Sequence, residues 1–432
     1  MDKEIKRYVI MYYSFAKRFV QRVINIIIWR FFNNSSFLKA KYVDWLNAEN
    51  FNLSSEFVHI TNKPITLTST MPKIISFYLP QYYENELNNK YFGKGFMEWY
   101  NTSKSIPLFT GHYQPHLPID VGFYDLSHDD IMYRQVELAK MYGISAFCFY
   151  YYWYRDEVLL EKPILNYLNN KNLDLPFCLM WVNGDWTKTW GTDGKHEREI
   201  IKKIELLEHD EQKFFYDSLK YFKDSRYLKI HNKPVLAIIK SKGFSSEKTK
   251  KFIKILNELA VKEGFSGIHF MTTNVGYGEI DTHRLGFDSA IEFEQTTSPL
   301  AQQLMDLNGR FVNPYFKGRV VDVKKALEKK LHLKKFPYKT FKCVAPGWDN
   351  SPRKAYSGSV VFQMNPNDFK KWLKDVIYWT QQNHSQEEQF IFINAWNEWA
   401  EGAHLEPDRK YGYAYLDSIK KVLEETSGEN II

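Results

Sequence analysis

Eight short apolar runs rich in β-forming residues recur along this chain, and stretches with helical spacing separate them. Several of the runs lack polar alternation, which is typical of parallel strands buried on both faces. Eight strands that alternate with helices indicate an α/β fold, a (β/α)8 TIM barrel. The predicted strands are residues 74–81, 144–152, 177–183, 235–240, 268–274, 290–294, 341–348 and 390–396, and the main predicted helices are residues 129–142, 157–168, 210–222, 246–263, 367–381 and 413–425.

The N-terminal part differs in composition and predicts a separate unit. We expect residues 1–70 to form a basic N-terminal helical extension and residues 71–426 to form the barrel. Segment 8–32 is apolar, but its Lys and Arg residues leave no uncharged run long enough to span a membrane. Two interpretations stay open: a basic amphipathic helix on an anionic membrane face, or a helix packed on the barrel. Without a signal-peptide cleavage pattern, we predict a cytoplasmic protein, peripheral to the inner membrane in the first interpretation.

Charge and motif content exclude several functions. The net charge of +7 arises largely near the N-terminus, and no basic patch coincides with the aromatic residues, so we expect no nucleic-acid partner. Each of the three cysteines lies in an apolar run, which predicts buried, reduced thiols. The sequence shows no zinc-type Cys/His spacing, phosphate-binding loop or dinucleotide fingerprint, so we expect neither a metal nor a cofactor. It also lacks the Asp-x-Asp signature of many metal-dependent glycosyltransferases.

The predicted strand ends carry the residues of interest, because active sites of TIM barrels lie at the C-terminal ends of the strands. Six of the eight ends are rich in aromatic, amide and carboxylate side chains, which suits a carbohydrate cleft. The candidate substrate-binding residues at these ends are Tyr78, Gln81, Tyr151, Trp153, Trp181, Asn183, Asp185, Trp186, Glu292, Trp348, Asp349, Asn350, Trp396, Asn397 and Trp399. Glu292 lies inside a strand, so it needs a cationic or polar partner or must face the cleft.

Two segments after the first predicted strand add further candidates. The glycine-rich segment 93–99 carries Glu98 and Trp99, and Glu98 either binds sugar hydroxyls or forms a surface salt bridge. Segment 111–116 carries His112 and Tyr113, and the histidine has either a substrate-binding or a structural role.

The candidate catalytic residues are Glu398 and Glu401 at the end of the eighth predicted strand. Their spacing of three lets both carboxylates face one side of a turn. Two close carboxylates oppose each other's ionisation, so the pKa of one rises and it can protonate a leaving oxygen while the other stays basic. Paired carboxylates of this kind cleave glycosidic bonds. The alternative is a capping and salt-bridge role near Arg409.

These motifs, in this order, resemble the WbsX-type family of bacterial surface-polysaccharide proteins, which is similar to glycoside hydrolase family 99. The matching segments are residues 77–81, 93–99, 111–115, 181–186, 346–350, 394–402 and 405–407. The resemblance implies a (β/α)8 barrel, no obligatory metal and retaining chemistry on α-mannosidic bonds. It assigns Glu398 to deprotonate the sugar's own 2-hydroxyl and Glu401 to protonate the leaving oxygen. One departure is Gly184, which stands where related chains often carry a glutamate; Asp185 follows it directly.

Three functions are therefore compared. The first is a carbohydrate-active enzyme acting on glycosidic bonds of a bacterial surface polysaccharide, the lipopolysaccharide O-antigen or capsule, with an oligosaccharide or lipid-linked glycan as its substrate. The second is a glycosyltransferase that adds a sugar during synthesis of the same polysaccharide. The third is a non-catalytic glycan-binding barrel. The glutamate pair argues against the third, and the missing Asp-x-Asp argues against a metal-dependent form of the second.

Overall fold

Eight parallel strands close into a barrel. The computed structural model describes residues 53–188, 199–239, 244–273, 282–293, 302–307, 312–333, 335–357 and 360–427, together with Val20, Val23, Ile24 and Ile27. The barrel strands are β1 (Lys73–Tyr78), β2 (Ile144–Trp153), β3 (Phe177–Trp181), β4 (Lys233–Ile238), β5 (His269–Thr273), β6 (Ser289–Ile291), β7 (Thr340–Phe341 and Cys343–Val344) and β8 (Phe390–Ile393).

Strand pairing shows that the barrel is closed. Each strand from β1 to β6 pairs in parallel with the next along the chain. β7 is interrupted at Lys342, so that its first half pairs with β6 and its second half with β8. β8 pairs in parallel with β1, with Ile74 opposite Ile391. The (β/α)8 prediction is therefore confirmed.

Helices lie between the strands, as the fold requires. In the described part of the chain they are α1 (Glu86–Phe92), α2 (Glu98–Ser103), α3 (Asp130–Tyr142), α4 (Lys162–Asn169), α5 (Asp210–Phe222), α6 (Ser246–Lys262), α7 (Val323–Glu328), α8 (Ser351–Lys354), α9 (Pro366–Asn383) and α10 (Ala414–Ser427). Local signals set several ends. Asn365 caps the start of α9 through a bond from the Asp368 amide, and Gly143 ends α3 in the left-handed region.

Most predicted elements differ from the structure by a few residues at their ends, and for two of them strand pairing gives the reason. The seventh strand was expected to reach residue 348, but β7 ends at Val344 because Gly347–Asp349 pairs antiparallel with Val360–Gln363 in a separate small sheet. The helix expected from residue 157 begins only at Lys162, because Val158–Leu159 pairs with the end of β2.

The core fills both faces of the barrel sheet. Phe77 contacts Phe293 and Phe392 at centroid distances of 5.3 and 5.5 Å, and these residues belong to or directly follow β1, β6 and β8. The three rings therefore meet inside the barrel, where full burial of each contributes about 1.5–3 kcal/mol. Cys148, Cys178 and Cys343 are free and buried, so their predicted burial is confirmed.

The N-terminal extension is only partly within the described residues. Residues 54–65 contact the barrel through backbone hydrogen bonds, from Ser54 to Lys410, from Val58 to Tyr411 and from Ile65 to Met141. Segment 8–32 lies outside the described residues except at four positions, so its membrane interpretation stays a prediction. Among the helices that the structure describes, none is long and apolar enough to cross a membrane.

Candidate active site

A buried guanidinium joins three carboxylates at the C-terminal end of the barrel. Arg353 Nε donates to Glu98 Oε2 over 3.0 Å, and Arg353 Nη2 donates to Glu398 Oε2 over 2.9 Å. Arg353 Nη1 donates to Glu401 Oε1. All four side chains have little exposure: 9 % for the arginine, and 0, 6 and 14 % for the three glutamates in sequence order. We call this group the Arg353 cluster.

The fold brings the Arg353 cluster together from three connections. Glu98 is the first residue of α2, which follows β1, and its amide donates to the Gln81 carbonyl over 3.2 Å. Arg353 lies in α8, which follows β7. Glu398 and Glu401 lie in the turn after β8, where Asn397–Glu398 pairs antiparallel with Ala403–His404. Because β7, β8 and β1 are neighbours in the closed barrel, their C-terminal connections meet at one place.

The surroundings change the protonation of the glutamate pair. Burial raises the pKa of Glu401 to about 7, since the Glu98 charge adds to the effect of burial and Arg353 offsets only part of it. Burial also raises the pKa of Glu398, and the neighbouring Glu401 raises it further against the opposing Arg353. Arg353, together with the smaller effect of Lys354 on Glu401, does not outweigh burial and the mutual repulsion of the carboxylates. The glutamate pair therefore binds a proton near neutral pH, and the two groups titrate as a unit.

A cavity of about 240 Å³ opens onto both glutamates. Aromatic side chains from β2 and the neighbouring strand ends form much of its wall. The lining includes Tyr150, Tyr152, Tyr154, Trp186, Phe293, Glu398 and Glu401, with Asp185 and Gly184 at the end of β3. Carboxylates among aromatic faces form an environment that can bind a sugar ring and exchange protons with it.

A second cavity of about 570 Å³ lies at the opposite end of the barrel. Its lining includes Met71, Pro72 and Lys73 just before or at the start of β1, and Pro176 just before β3. The strand starts form the stability face of a TIM barrel, whereas active sites lie at the strand ends. We therefore place the candidate site in the smaller cavity.

Several predicted site residues lie at this place. Glu398, Glu401, Asp185 and Trp186 line the cavity, and Glu98 joins them through Arg353. Asp185 Oδ1 also accepts a bond from the Ile204 amide over 2.9 Å, which fixes the carboxylate at the rim. Two further predicted residues, Asn183 and Asn350, are buried just after β3 and just before α8.

His112 and Asp349 form a supporting pair and do not line the described cavity. His112 Nδ1 accepts from the Leu108 amide over 2.9 Å, so Nε2 carries the proton and donates to Asp349 Oδ2 over 2.6 Å. Gln114 donates to the same oxygen, and the Ser351 amide donates to Oδ1. Burial alone would raise the pKa of Asp349, but these partners outweigh it and lower the pKa to about 2. The ionised carboxylate therefore anchors the start of α8, which carries Arg353.

The structure turns two predicted residues of β2 away from the cavity. Tyr151 packs on Phe214 and Tyr221 of α5, and Trp153 Nε1 donates to Asp217 of the same helix. Successive strand side chains point to opposite faces, so their neighbours Tyr150 and Tyr152 face the cavity instead. The sequence has six aromatic residues in a row, at positions 149–154, and this run does not indicate which side chains face inward.

Other predicted residues also have their partners inside the protein, away from the described cavity. Tyr78 donates to Gln135, Trp181 to the Trp153 carbonyl, Trp99 to the Tyr124 carbonyl, and Asn397 to the Leu79 carbonyl and the Tyr124 hydroxyl. Tyr113 stacks on His116, and Trp348 pairs with Phe362 in the small sheet.

Glu292 has the cationic partner that its burial required, Lys342 at 2.5 Å. Gln81 is fully buried, and its side-chain amide has no hydrogen-bond partner among the described residues.

Trp396 and Trp399 are bound by a carboxylate that was not among the predicted site residues. Glu406 Oε1 accepts from Trp396 Nε1 over 3.0 Å and from Gln135 Nε2 over 2.6 Å. Its Oε2 accepts from Trp399 Nε1 over 2.7 Å and from the Tyr124 hydroxyl over 2.9 Å. Burial raises the pKa of Glu406 to about 7 against these four bonds. The two indoles therefore hold the turn around Glu398 in place from behind the cavity.

Sequence reasoning also missed Arg353 and the tyrosines that line the cavity, Tyr150, Tyr152 and Tyr154. One signal pointed to Arg353. Three buried carboxylates at neighbouring strand ends require a cation, and Arg353 follows the seventh strand end by only a few residues.

A closed (β/α)8 barrel with an acidic, aromatic cleft at its C-terminal face defines the general class. Within it, the chain belongs to the family described as Glycosyltransferase WbsX, whose sequence pattern matches residues 74–419. The chain is 35 % identical over 366 residues to a protein named WxcX, described as uncharacterized, from two strains of Xanthomonas campestris pv. campestris. That match covers 84 % of this chain and 52 % of the relative, so the chain spans about half the length of the curated relatives it matches.

Solved structures share the fold at low sequence identity. A GH99 endo-alpha-mannosidase from Bacteroides thetaiotaomicron superposes with a TM-score of 0.52 at 15 % identity, covering 84 % of this chain and 98 % of that chain. A glycoside hydrolase-like protein superposes with a TM-score of 0.55 at 12 % identity, covering 85 % and 98 %. The predicted resemblance to the WbsX family and to the fold of family 99 is therefore confirmed.

Proposed function

We propose that this protein is a carbohydrate-active enzyme that acts on glycosidic bonds of a bacterial surface polysaccharide, with Glu398 and Glu401 as its catalytic pair. One observation carries the proposal: two adjacent carboxylates with raised pKa values face one aromatic-lined cavity at the C-terminal end of the barrel. A glycosidic bond needs a proton donor and a base within reach of the same sugar ring.

The proposed roles follow the family resemblance. Glu398 accepts the proton of the sugar's 2-hydroxyl, and that oxygen attacks the anomeric carbon. The bond to the leaving oxygen breaks as Glu401 transfers its proton to it. Glu401 then accepts the proton of an incoming hydroxyl, which opens the anhydro ring, and Glu398 returns its proton to the 2-oxygen. The pKa of about 7 for Glu401 suits a general acid, which works best when its pKa lies near the operating pH. The pKa of Glu398 is raised as well, so the pair shares a proton, and the family resemblance is what assigns that proton to Glu401.

Arg353 supports both roles because the N–H donors of its planar guanidinium have a fixed geometry. It contacts one oxygen of each catalytic glutamate with a different terminal nitrogen, which holds the two carboxylates at a set separation. Its single positive charge also lets one member of the pair remain ionised while the other binds a proton. The aromatic wall is proposed to contact the apolar faces of the sugar.

The second candidate function is sugar transfer, which the family description favours. Transfer needs the same two glutamates if a sugar hydroxyl replaces water as the incoming group. Hydrolysis and transfer then differ in what binds beside the cavity and not in the catalytic pair.

One experiment separates the two functions. The purified full chain is incubated with a lipid-linked oligosaccharide, with and without nucleotide sugars, and the products are measured by mass spectrometry. Shortened glycan without nucleotide sugar supports hydrolysis, rearranged or joined glycan supports transfer between glycans, and elongation only with nucleotide sugar supports a nucleotide-dependent transferase. No product from the folded wild-type protein with any of these substrates would contradict an enzyme of this class.

The remaining parts of the proposal concern location. Action on a lipid-linked glycan at the inner membrane, and a cytoplasmic position, are proposals that depend on segment 8–32. Liposome flotation of the full chain and of a variant without residues 1–52 tests the membrane contact. Membrane binding by segment 8–32 requires the full chain to float with anionic vesicles and the truncated chain to stay in the bottom fraction.

A further inference from the structure

A second cluster of ligand-type side chains lies near the carboxylate site and has no role in the proposed chemistry. His116 comes from the segment before α3, and His404 and Asp408 follow the turn after β8. One ligand atom from each residue lies within 4.8 Å of the other two. His404 and Asp408 are buried and His116 is half-buried, so the cluster is largely shielded from solvent.

The hydrogen bonds of both histidines indicate which ring nitrogen carries the proton. His116 Nε2 lies 3.1 Å from the Tyr113 carbonyl oxygen, and His404 Nδ1 lies 2.9 Å from the Glu406 carbonyl oxygen. A carbonyl oxygen only accepts, so these two nitrogens are the donors. In neutral rings the opposite nitrogens, His116 Nδ1 and His404 Nε2, therefore carry lone pairs.

These two lone pairs face each other across 2.8 Å. Asp408 adds a third acceptor: its Oδ1 accepts from the Lys410 and Tyr411 amides over 2.9 and 2.7 Å. Its Oδ2 lies 3.7 Å from His404 Nε2 and makes no hydrogen bond of standard geometry with the described residues. Burial raises the pKa of the Asp408 carboxyl, and the Lys410 charge and the Tyr113 hydroxyl are close enough to offset part of this larger effect. Three acceptors around one small, largely shielded volume are unfavourable unless a proton or a metal cation lies between them.

We propose that His116 Nδ1, His404 Nε2 and Asp408 Oδ2 bind a divalent transition-metal ion of the zinc class. Two imidazoles and a carboxylate are typical ligands of such an ion, and three protein ligands leave a fourth position for water. The N–H bonds from the far side of both rings to backbone carbonyls match the outer-shell pattern of metal-binding histidines. Metal bonds of about 2.0–2.1 Å at a tetrahedral angle would widen the contact between the two nitrogens by about half an ångström.

This proposal replaces the sequence-based expectation of no metal. That expectation rested on the lack of closely spaced ligands, whereas His116 and His404 are 288 residues apart in the sequence. The ion would act by positioning the active site. His404 stacks on Trp399 with centroids 3.7 Å apart, and it pairs opposite Asn397 in the turn that carries Glu398. The ion would therefore fasten the segment before α3 to the turn that holds the catalytic pair.

Metal titration of the full chain tests the proposal. Protein stripped with chelator is dialysed and titrated with Zn²⁺ and with Co²⁺; bound metal is measured by elemental analysis and cobalt coordination by visible absorption. We expect one ion per chain, with the ligand-field bands of a nitrogen- and oxygen-bound cobalt ion. Asp408→Asn keeps the acceptor for the two amides but replaces Oδ2 with a group that cannot bind metal. It should weaken binding by more than about tenfold.

Two further variants guard against an indirect effect. His116→Phe keeps the ring that stacks on Tyr113, removes the lone pair and should also weaken binding. His332→Gln is the matched control, because His332 is a buried histidine whose partner is Asp375 at 2.9 Å, and it should retain the ion. The proposal is overturned if the wild type binds no stoichiometric metal at saturation, if both ligand variants bind as well as the wild type, or if the control loses the ion equally.

Discussion

Two sets of buried carboxylates lie in or next to the turn after β8, and they differ in their hydrogen-bond partners. Glu406 accepts four bonds from neutral donors, two at each oxygen. Glu398 and Glu401 share one guanidinium and face a cavity. Burial raises the pKa of all three, so burial alone does not distinguish them.

The difference indicates which carboxylate can do chemistry. A carboxylate with all its acceptor sites filled by the fold is an anchor, because it has no free lone pair for a ligand and loses bonds if it moves. A carboxylate with one charged partner and an open side can accept or donate a proton to a substrate. The turn after β8 therefore combines an anchor behind the indoles with a reactive pair in front of them.

The sharpest test of the reactive side is Glu401→Gln. The amide keeps the size of the side chain but cannot donate a proton as an acid, so turnover should fall by about 10²- to 10⁴-fold. Stability should be unchanged or raised, because a buried charge near Glu98 is removed. Steady-state kinetics and thermal melts measure both effects. Glu208→Gln, at an exposed glutamate, is the control and should match the wild type.

Arg353→Met tests the charge balance of the cluster. Removing the arginine that contacts all three buried carboxylates should lower the free energy of unfolding by about 3–5 kcal/mol. Urea unfolding measures this free energy. Arg353→Lys keeps the positive charge but loses the planar set of N–H donors, and it should recover part of the stability. Equal stability of Arg353→Met and the wild type would show that the ion pairs do not hold this site together.

Glu406→Gln tests the anchor. The new amide group would face two donors that previously had an acceptor, so the free energy of unfolding should fall by about 1–3 kcal/mol. Turnover should fall less than in Glu401→Gln. The contrast between Glu406 as an anchor and Glu401 as an acid would be wrong if Glu406→Gln had the larger loss of turnover of the two variants and Glu401→Gln had the larger loss of unfolding free energy.

The smallest expected effect comes from two neighbouring tyrosines of β2 whose side chains point to opposite faces of the strand. Tyr152→Phe removes a hydroxyl from the cavity wall, and loss of one hydrogen bond to a sugar should raise KM about two- to tenfold. Tyr151→Phe makes the same change on the helix-facing side and should leave KM unchanged. A larger effect from Tyr151→Phe would show that the cavity lies on the other face of the strand.

The success of sequence reasoning depended on how local each pattern is. The barrel strands were predictable because each apolar run is contiguous, and Glu398 and Glu401 were paired because they lie three residues apart. Arg353 meets Glu98 across 255 residues, a contact that only barrel closure creates. The choice of Tyr151 over Tyr152 was wrong because an unbroken aromatic run carries no alternation from which to assign the faces.

The pH dependence of kcat/KM tests the central claim most directly. An acid is active while protonated, so activity due to Glu401 should be present below its pKa and lost as pH rises through about 7. The wild type should therefore show an alkaline limb near pH 7. Glu401→Gln, assayed on a substrate whose leaving group needs no proton, should retain measurable activity without that limb. An alkaline limb that persists unchanged in Glu401→Gln would contradict the assignment of Glu401 as the acid.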